Sequence, residues 1–416
     1  MYASERYSIA QNIPENRIKS YTDHSISLSH TFKWKKQSLR IQLDALNLSD
    51  KNYEIVRFYP MPGRNYKTAM LVIALGAFTA CSDDDEPTIP KGPIAPVNGA
   101  YVINTGNWGE NNGTIQWYDR DLKTISADLF AAANGAGIGD AQDLCIYGTK
   151  IYITCSSSAK IEVVDRKDFA RIKTLNLKDE SEKSIQPRYM TATGGNVYFT
   201  SYDGTVSRLD TTNLSITGKI EIGDHPEALT SANGKLYVNL SNYNNDGTGK
   251  YVAVVDIATF KKTKNIEVLL NPYDVCTTGE DGKVYFISCG DFRGNPVQTL
   301  QCIDPQTDQV TEICPASKIA IKNNKIYLIY AEYYEDAAPK SISVYDMNTK
   351  QTTRFANYSD FSNPGNIVVD PATGDVIIID QPFSALNDIY VYGSDGVLKK
   401  KLETGYYTTN MRFVTE

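Results

Sequence analysis

The sequence predicts an all-β chain: a seven-bladed β-propeller closed by its C-terminal strand, with a poorly ordered N-terminal extension. Three observations predict this. A four-strand pattern recurs seven times from Gly99 onward. The first unit lacks a first strand, and the last residues supply a strand that no unit follows. A short apolar run ending at Cys81 separates the repeats from a differently patterned segment.

That segment comes first in the chain. Residues 27–34 and 38–48 alternate apolar and polar side chains, as transmembrane barrel strands do over about ten residues. Together with Asp50-Lys51-Asn52-Tyr53-Glu54 and residues 59–66, the stretch from 20 to 67 resembles the C-terminal end of a TonB-dependent outer-membrane receptor of the cobalamin type. The resemblance stops before the closing strand, and two barrel strands alone leave their edges unsatisfied in lipid. Residues 1–67 therefore read as a receptor fragment, from a fusion or a gene-model error, with a dedicated N-terminal domain as the alternative.

Residues 68–81 carry a processing signal. The apolar or small residues 69–80 are too few to cross a bilayer but suit a signal-peptide core, a length they share with a buried core segment. Phe78-Thr79-Ala80-Cys81 resembles a bacterial lipobox, which implies lipidation of Cys81. The acidic run Ser82-Asp83-Asp84-Asp85-Glu86 resembles the surface-export signal of Bacteroides-type lipoproteins. Pro87, Pro90, Pro93 and Pro96 then recur at the period of an extended polyproline II stalk. Residues 82–97 read as an acidic, Pro-rich linker on the cell surface, tied to the outer membrane by lipid alone.

A net charge of -7 argues against nucleic acid as a partner, since such binding rests on basic patches and the densest cluster is Lys399-Lys400-Lys401. Six cysteines follow Cys81, at 145, 155, 276, 289, 302 and 314, an even number that suits an oxidising compartment. Cys145/Cys155, Cys276/Cys289 and Cys302/Cys314 each straddle a hairpin, so cross-strand bridges and buried thiols both fit. None has zinc spacing, and no metal is expected.

From residue 98 the repeats run to the end. Tyrosines near the start of each second strand stand at 101, 152, 198, 237, 285 and 327, with Val376 seventh, separated by 51, 46, 39, 48, 42 and 49 residues. Aspartates follow in step at 119, 165, 210, 256, 304 and 346, where they cap turns. Gly393 replaces the seventh, so that turn should differ. A unit of this length reads as a propeller blade, and the C-terminal residues 409–414 should complete the first one and remove the ring's open edges. Repeats such as Val254-Val255-Asp256-Ile257-Ala258-Thr259, with Pro187, Pro226, Pro272, Pro315 and Pro364 before the first strands, resemble the YVTN or YncE-like propeller family over residues 99–416. That resemblance implies a fold far more than a function.

Long loops all fall on one face, at residues 104–114, 239–251, 288–298, 330–341 and 380–388, while tight hairpins fall on the other. Long loops on a rigid scaffold usually carry function. Their content selects the candidate ligand residues Asn107, Trp108, Asn111, Asn242, Tyr243, Phe292, Arg293, Tyr333, Tyr334 and Phe383, and shorter segments add Tyr189, Tyr202, His225, Tyr273 and Tyr406. Aromatic faces beside amides suit a bulky, neutral, rigid ligand with many hydrogen-bonding edges. One buried aromatic contributes at most roughly 4 to 6 kcal/mol and nanomolar binding needs about 12, so several must act together.

No catalytic constellation stands out. His225 is the only imidazole of the repeats, and the glycines of Gly135-Ala136-Gly137-Ile138-Gly139 lack the strand-then-helix setting of a phosphate cradle. A propeller behind a lipobox and a cobalamin-type receptor fragment resembles the BtuG-type cobalamin-binding surface lipoproteins of gut Bacteroides. The resemblance implies a binding protein rather than an enzyme, one that captures cobalamin or related corrinoids and passes them to a TonB-dependent receptor. A YVTN-like lyase or hydrolase using His225, and a protein- or glycan-binding adhesion module, are the alternatives.

Overall fold

The computed structural model describes residues 98–107, 110–223, 225–241, 248–382 and 385–414, and the backbone of short strands between Tyr2 and Ala69. The chain divides into two units, Met1–Glu86 and Pro87–Glu416. In the first, Ile26–Trp34 and Gln37–Leu46 form the antiparallel pair that the alternation predicts. A third strand, Asn65–Ala69, pairs on the other edge of Gln37–Leu46, where no strand is expected from the pattern. The apolar run from 70, Cys81 and the Pro-rich linker lie outside the described residues, as does most of the extension whose order the sequence bears on.

The second unit is a ring of seven four-stranded antiparallel sheets. In the second blade the strands are Ala141–Tyr147, Lys150–Cys155, Lys160–Asp165 and Arg171–Asn176, running from the channel outward. Its two middle strands are buried almost throughout and mostly apolar, with the buried Glu162 held by Lys160 and Arg171, whereas the outermost is mostly exposed and carries Arg171 and Lys173. Charges on an outer edge keep it from pairing with another chain.

The repeated tyrosines are the packing between blades. Tyr101, Tyr152, Tyr198, Tyr237, Tyr285 and Tyr327 are all at most 3 % exposed. Tyr101 meets Phe169 of the next blade with ring centroids 5.5 Å apart, and Tyr198 meets Phe260 at 5.7 Å. The aspartates cap turns: Asp210 accepts from Thr212 N and Asn213 N, Asp346 from Asn348 N and Thr349 N. In the seventh blade Gly393 N–H donates to Val397 O instead, and Asp395 takes over as side-chain acceptor for Val397 N. The turn differs, as the missing aspartate predicts.

Closure occurs at the expected place. Thr408–Phe413 is the innermost strand of the first blade, with Met411 opposite Val102 and Phe413 opposite Ala100. Ala100, Val102 and Met411 then share one core with Ile377 and Ile379 of the last blade. Two readings need correction or resolution. Pro187, Pro226, Pro272 and Pro364 are the first residues of first strands, but Pro315 ends the fourth strand Val310–Pro315, and the next blade starts at Lys318. The six cysteines are free thiols: Cys145 stands opposite Tyr152, Cys276 opposite Phe286 and Cys302 opposite Thr311, so none faces its hairpin partner.

Candidate functional site

The first strands line the channel, and their starts ring its mouth on the long-loop face. Six of the seven are bulged there. The register slips past Gln142, past Arg188 and Tyr189, past Glu227 and Ala228, past residues 273–275, past Gly365 and past Thr409. A bulge re-aims side chains that a regular ladder would turn onto the sheet faces. The proline before several of these bulges lacks an N–H, so the ladder is already interrupted at that point.

Residues in and beside these bulges join blade to blade. Arg412 Nη2 is 2.7 Å from Asp143, Arg188 Nη1 donates to Gln142 at 2.8 Å, and Arg188 Nε and Nη2 both reach Glu227 Oε2 at 3.1 Å. Lys318 pairs with Asp274, and Asn366 Nδ2 donates to Thr409 O at 2.8 Å. The mouth is therefore a polar ring with paired charges.

Its densest part lies over the third to fifth blades. Arg188 sits over the rings of Tyr202 and Tyr189, at 4.6 and 5.4 Å from their centroids. Tyr202 Oη donates to Glu227 Oε1 at 2.9 Å, and its ring lies 5.3 Å from that of His225. Tyr273 adds a third phenol. Glu227 is fully buried, and burial pushes its carboxyl up to about 7 against the pull of Arg188 and the Tyr202 hydrogen bond. Burial opposes the charge on Arg188, yet Glu227 and the surrounding tyrosines hold its guanidinium above the ordinary range. Burial likewise raises the Tyr189 and Tyr273 phenols, so both stay protonated donors.

The structure thus gathers Tyr189, Tyr202, His225 and Tyr273, four of the residues chosen from the sequence, into one cluster. It sets others apart. Tyr333, 68 % exposed, donates to Asn363 Oδ1 at 2.7 Å and lies under Lys340 Nζ at 3.5 Å from its ring centroid, on the outer rim of the sixth and seventh blades. Tyr334 packs against Gly294 in the loop that carries the exposed Phe292 and Arg293. Asn107 and Asn111 lie in the first blade's loop, where Asn107 donates to Glu110 and its N–H is held by Asn112 Oδ1. Tyr406 is half-buried and its carbonyl accepts from Gly106 N. Trp108, Asn242, Tyr243 and Phe383 lie outside the described residues.

Arg188, Glu227, Asp274 and Lys318 are the residues that sequence reasoning passed over. The available signal was a charge directly after the strand-opening proline, in Pro187-Arg188 and Pro226-Glu227. The Gly-rich segment behaves as read: Gly135, at φ 64°, caps the end of the short helix Leu129–Asn134, so the glycines follow a helix rather than open one. Among the described residues no three His, Cys, Asp or Glu side chains converge as a metal site would require.

Fold and mouth together define a seven-bladed propeller with a built polar and aromatic channel opening. A family model described as a domain of unknown function (DUF5074) matches residues 98–414, and the chain belongs to that family. None of the curated proteins matches its sequence. Among solved structures it is similar to a candidate 6-phosphogluconolactonase from Bacteroides uniformis, at 12 % identity over 77 % of this chain and 100 % of that one, with a TM-score of 0.56. A second candidate 6-phosphogluconolactonase, from Bacteroides fragilis, gives 13 % identity, 80 % and 100 % coverage and a TM-score of 0.54. The dihydro-heme d1 dehydrogenase NirN in complex with DHE gives 11 %, 79 % and 78 %, and 0.50. At such identities the likeness is one of fold.

Proposed function

We propose that the propeller captures cobalamin or a related corrinoid at the channel mouth and passes it to a TonB-dependent outer-membrane receptor. In this reading the lipid on Cys81 anchors it to the cell surface beside that receptor. One observation carries the proposal: bulged first strands gather Tyr189, Tyr202, Tyr273 and His225 around Arg188 and Glu227 on the face with the long loops. A corrinoid offers a broad apolar plane edged with amides. Phenol and imidazole faces cover such a plane, and a fixed guanidinium with tyrosine hydroxyls serves the edge. Titration of the full chain with cyanocobalamin tests this directly. Heat of binding and a pink colour retained on the protein are expected; neither appearing sinks the reading.

One observation favours a hydrolase or lyase instead. Tyr202 links the His225 ring to a Glu227 carboxyl poised near neutrality, which is the protonation a general acid–base pair needs. Corrinoid capture that is unchanged in His225→Ala counts against it.

A further inference from the structure

We propose a second binding site, for an organic anion with an apolar body, in the half of the channel that opens on the tight-hairpin face. A cavity of about 540 Å³ lies there, bounded by the later residues of five first strands and by the turn after Lys160–Asp165. That volume falls within the range of small-molecule sites.

The wall has one sign of charge. It holds two guanidinium groups, Arg166 and Arg412, and no carboxylate. Arg412 is met by Asp143, which is 2 % exposed and lies behind the wall. The Arg166 side chain has no ion pair among the described residues, so one positive charge is left over. Two thiols share the wall, Cys145 and Cys276, and burial raises both above their usual range, the first to about 12, so neither supplies a compensating anion. Thr191 and Thr277 offer hydroxyls from separate blades. Leu229 and Phe413 complete the surface with apolar area. An uncompensated guanidinium in a concave wall takes a carboxylate or phosphate by charge-assisted, often bidentate, hydrogen bonds. The apolar residues take the rest of the molecule.

The site is separate from the mouth cluster of Arg188 and Glu227: the same first strands reach it several residues further on, and of the paired charges described at the mouth only Arg412 also lines it. The test uses the full chain and three naphthalene probes followed by their fluorescence: 1-naphthyl phosphate, 1-naphthoate and the neutral 1-naphthol. At least one anion is expected to bind ten times or more tightly than 1-naphthol. Arg166→Gln should weaken that anion about tenfold and leave 1-naphthol unchanged, since a hydrogen bond to a charged group contributes about this much. Thr191→Phe, which fills the cavity from another blade, should weaken every probe. Cyanocobalamin titrated into the same variants reads the mouth separately. The proposal is overturned if neither anion binds, if 1-naphthol binds as well as both, or if Arg166→Gln leaves anion affinity unchanged with the thermal midpoint intact.

Discussion

Arg188 reaches from the third blade to the fourth and places both Nε and Nη2 3.1 Å from one oxygen of the fully buried Glu227. The other oxygen accepts from Tyr202. The carboxyl is therefore served on both sides, and a ligand that approaches the mouth meets an occupied, pre-set ring rather than a loose charge. Such satisfaction makes the pair costly to break from one side only.

Removing one partner should cost more than removing the charge. Arg188→Ala leaves a buried carboxylate without its cation and should destabilise the fold by about 3 to 5 kcal/mol. Glu227→Gln keeps an acceptor for Arg188 and Tyr202 and should cost clearly less. Urea unfolding of both variants at neutral pH decides it; equal losses would show that the pair contributes nothing beyond packing.

Acidity gives a second reading of the same pair. Glu227 titrates near 7 in the folded chain, above the ordinary 4.5 of the unfolded one. Between those values the folded state binds the extra proton, so stability should fall as pH rises from about 4.5 to about 7, by roughly 3 kcal/mol in all. The capping aspartates act the other way and lower down. Asp210, Asp256 and Asp346 are held below the usual carboxylate range by turn N–H groups and, for Asp256, first by the Thr259 hydroxyl, so their contribution is present above the unfolded value and lost as pH falls through the folded one. In Glu227→Gln the decline between 4.5 and 7 should vanish while the acid limb remains. Thermal midpoints across that window measure both.

The ring was legible because burial writes itself into the sequence twice in each blade. Middle strands packed on both faces are mostly apolar, and in six of the seven blades a buried tyrosine falls near the start of the second strand. The mouth was half legible. Tyr189, Tyr202, His225 and Tyr273 stand out by residue type, but a bulge leaves no period to detect, and Arg188 and Glu227 are 39 residues apart with nothing in either segment that names the other. Pro315 misled for a related reason: a proline serves equally at the end of an outer strand and at the start of an inner one.

Closure of the ring makes a prediction about cooperativity. Met411 is 2 % exposed and packs with Ala100, Val102, Ile377 and Ile379, joining the last blade to the first. Met411→Ala should cost about 2 to 5 kcal/mol by the cavity it leaves. Deleting residues 408–416 should do more, because the edge of Gly99–Asn104 is then free to pair with other chains. Size-exclusion chromatography should find oligomers in the truncated chain and a monomeric but less stable Met411→Ala; a truncated chain that stays monomeric with an unchanged midpoint would mean the C-terminal strand is dispensable.

Position in the mouth, not aromatic content alone, should decide which tyrosines matter for binding. Tyr273 is half-buried beside Arg188, Tyr202 and Glu227, where the proposed corrinoid would cover it. Tyr333 stands 68 % exposed at the rim, already engaged with Asn363 and Lys340. Central, desolvated contacts carry most of the energy of an interface, while rim contacts are nearly neutral. Tyr273→Ala should therefore weaken cyanocobalamin by about 2 kcal/mol or more, roughly thirtyfold in Kd, and Tyr333→Ala by less than about 1 kcal/mol. Calorimetric titration of the two variants separates them. If the rim substitution costs as much as the central one, the ligand rests on the loops and the channel mouth beneath it serves only to hold the blades together.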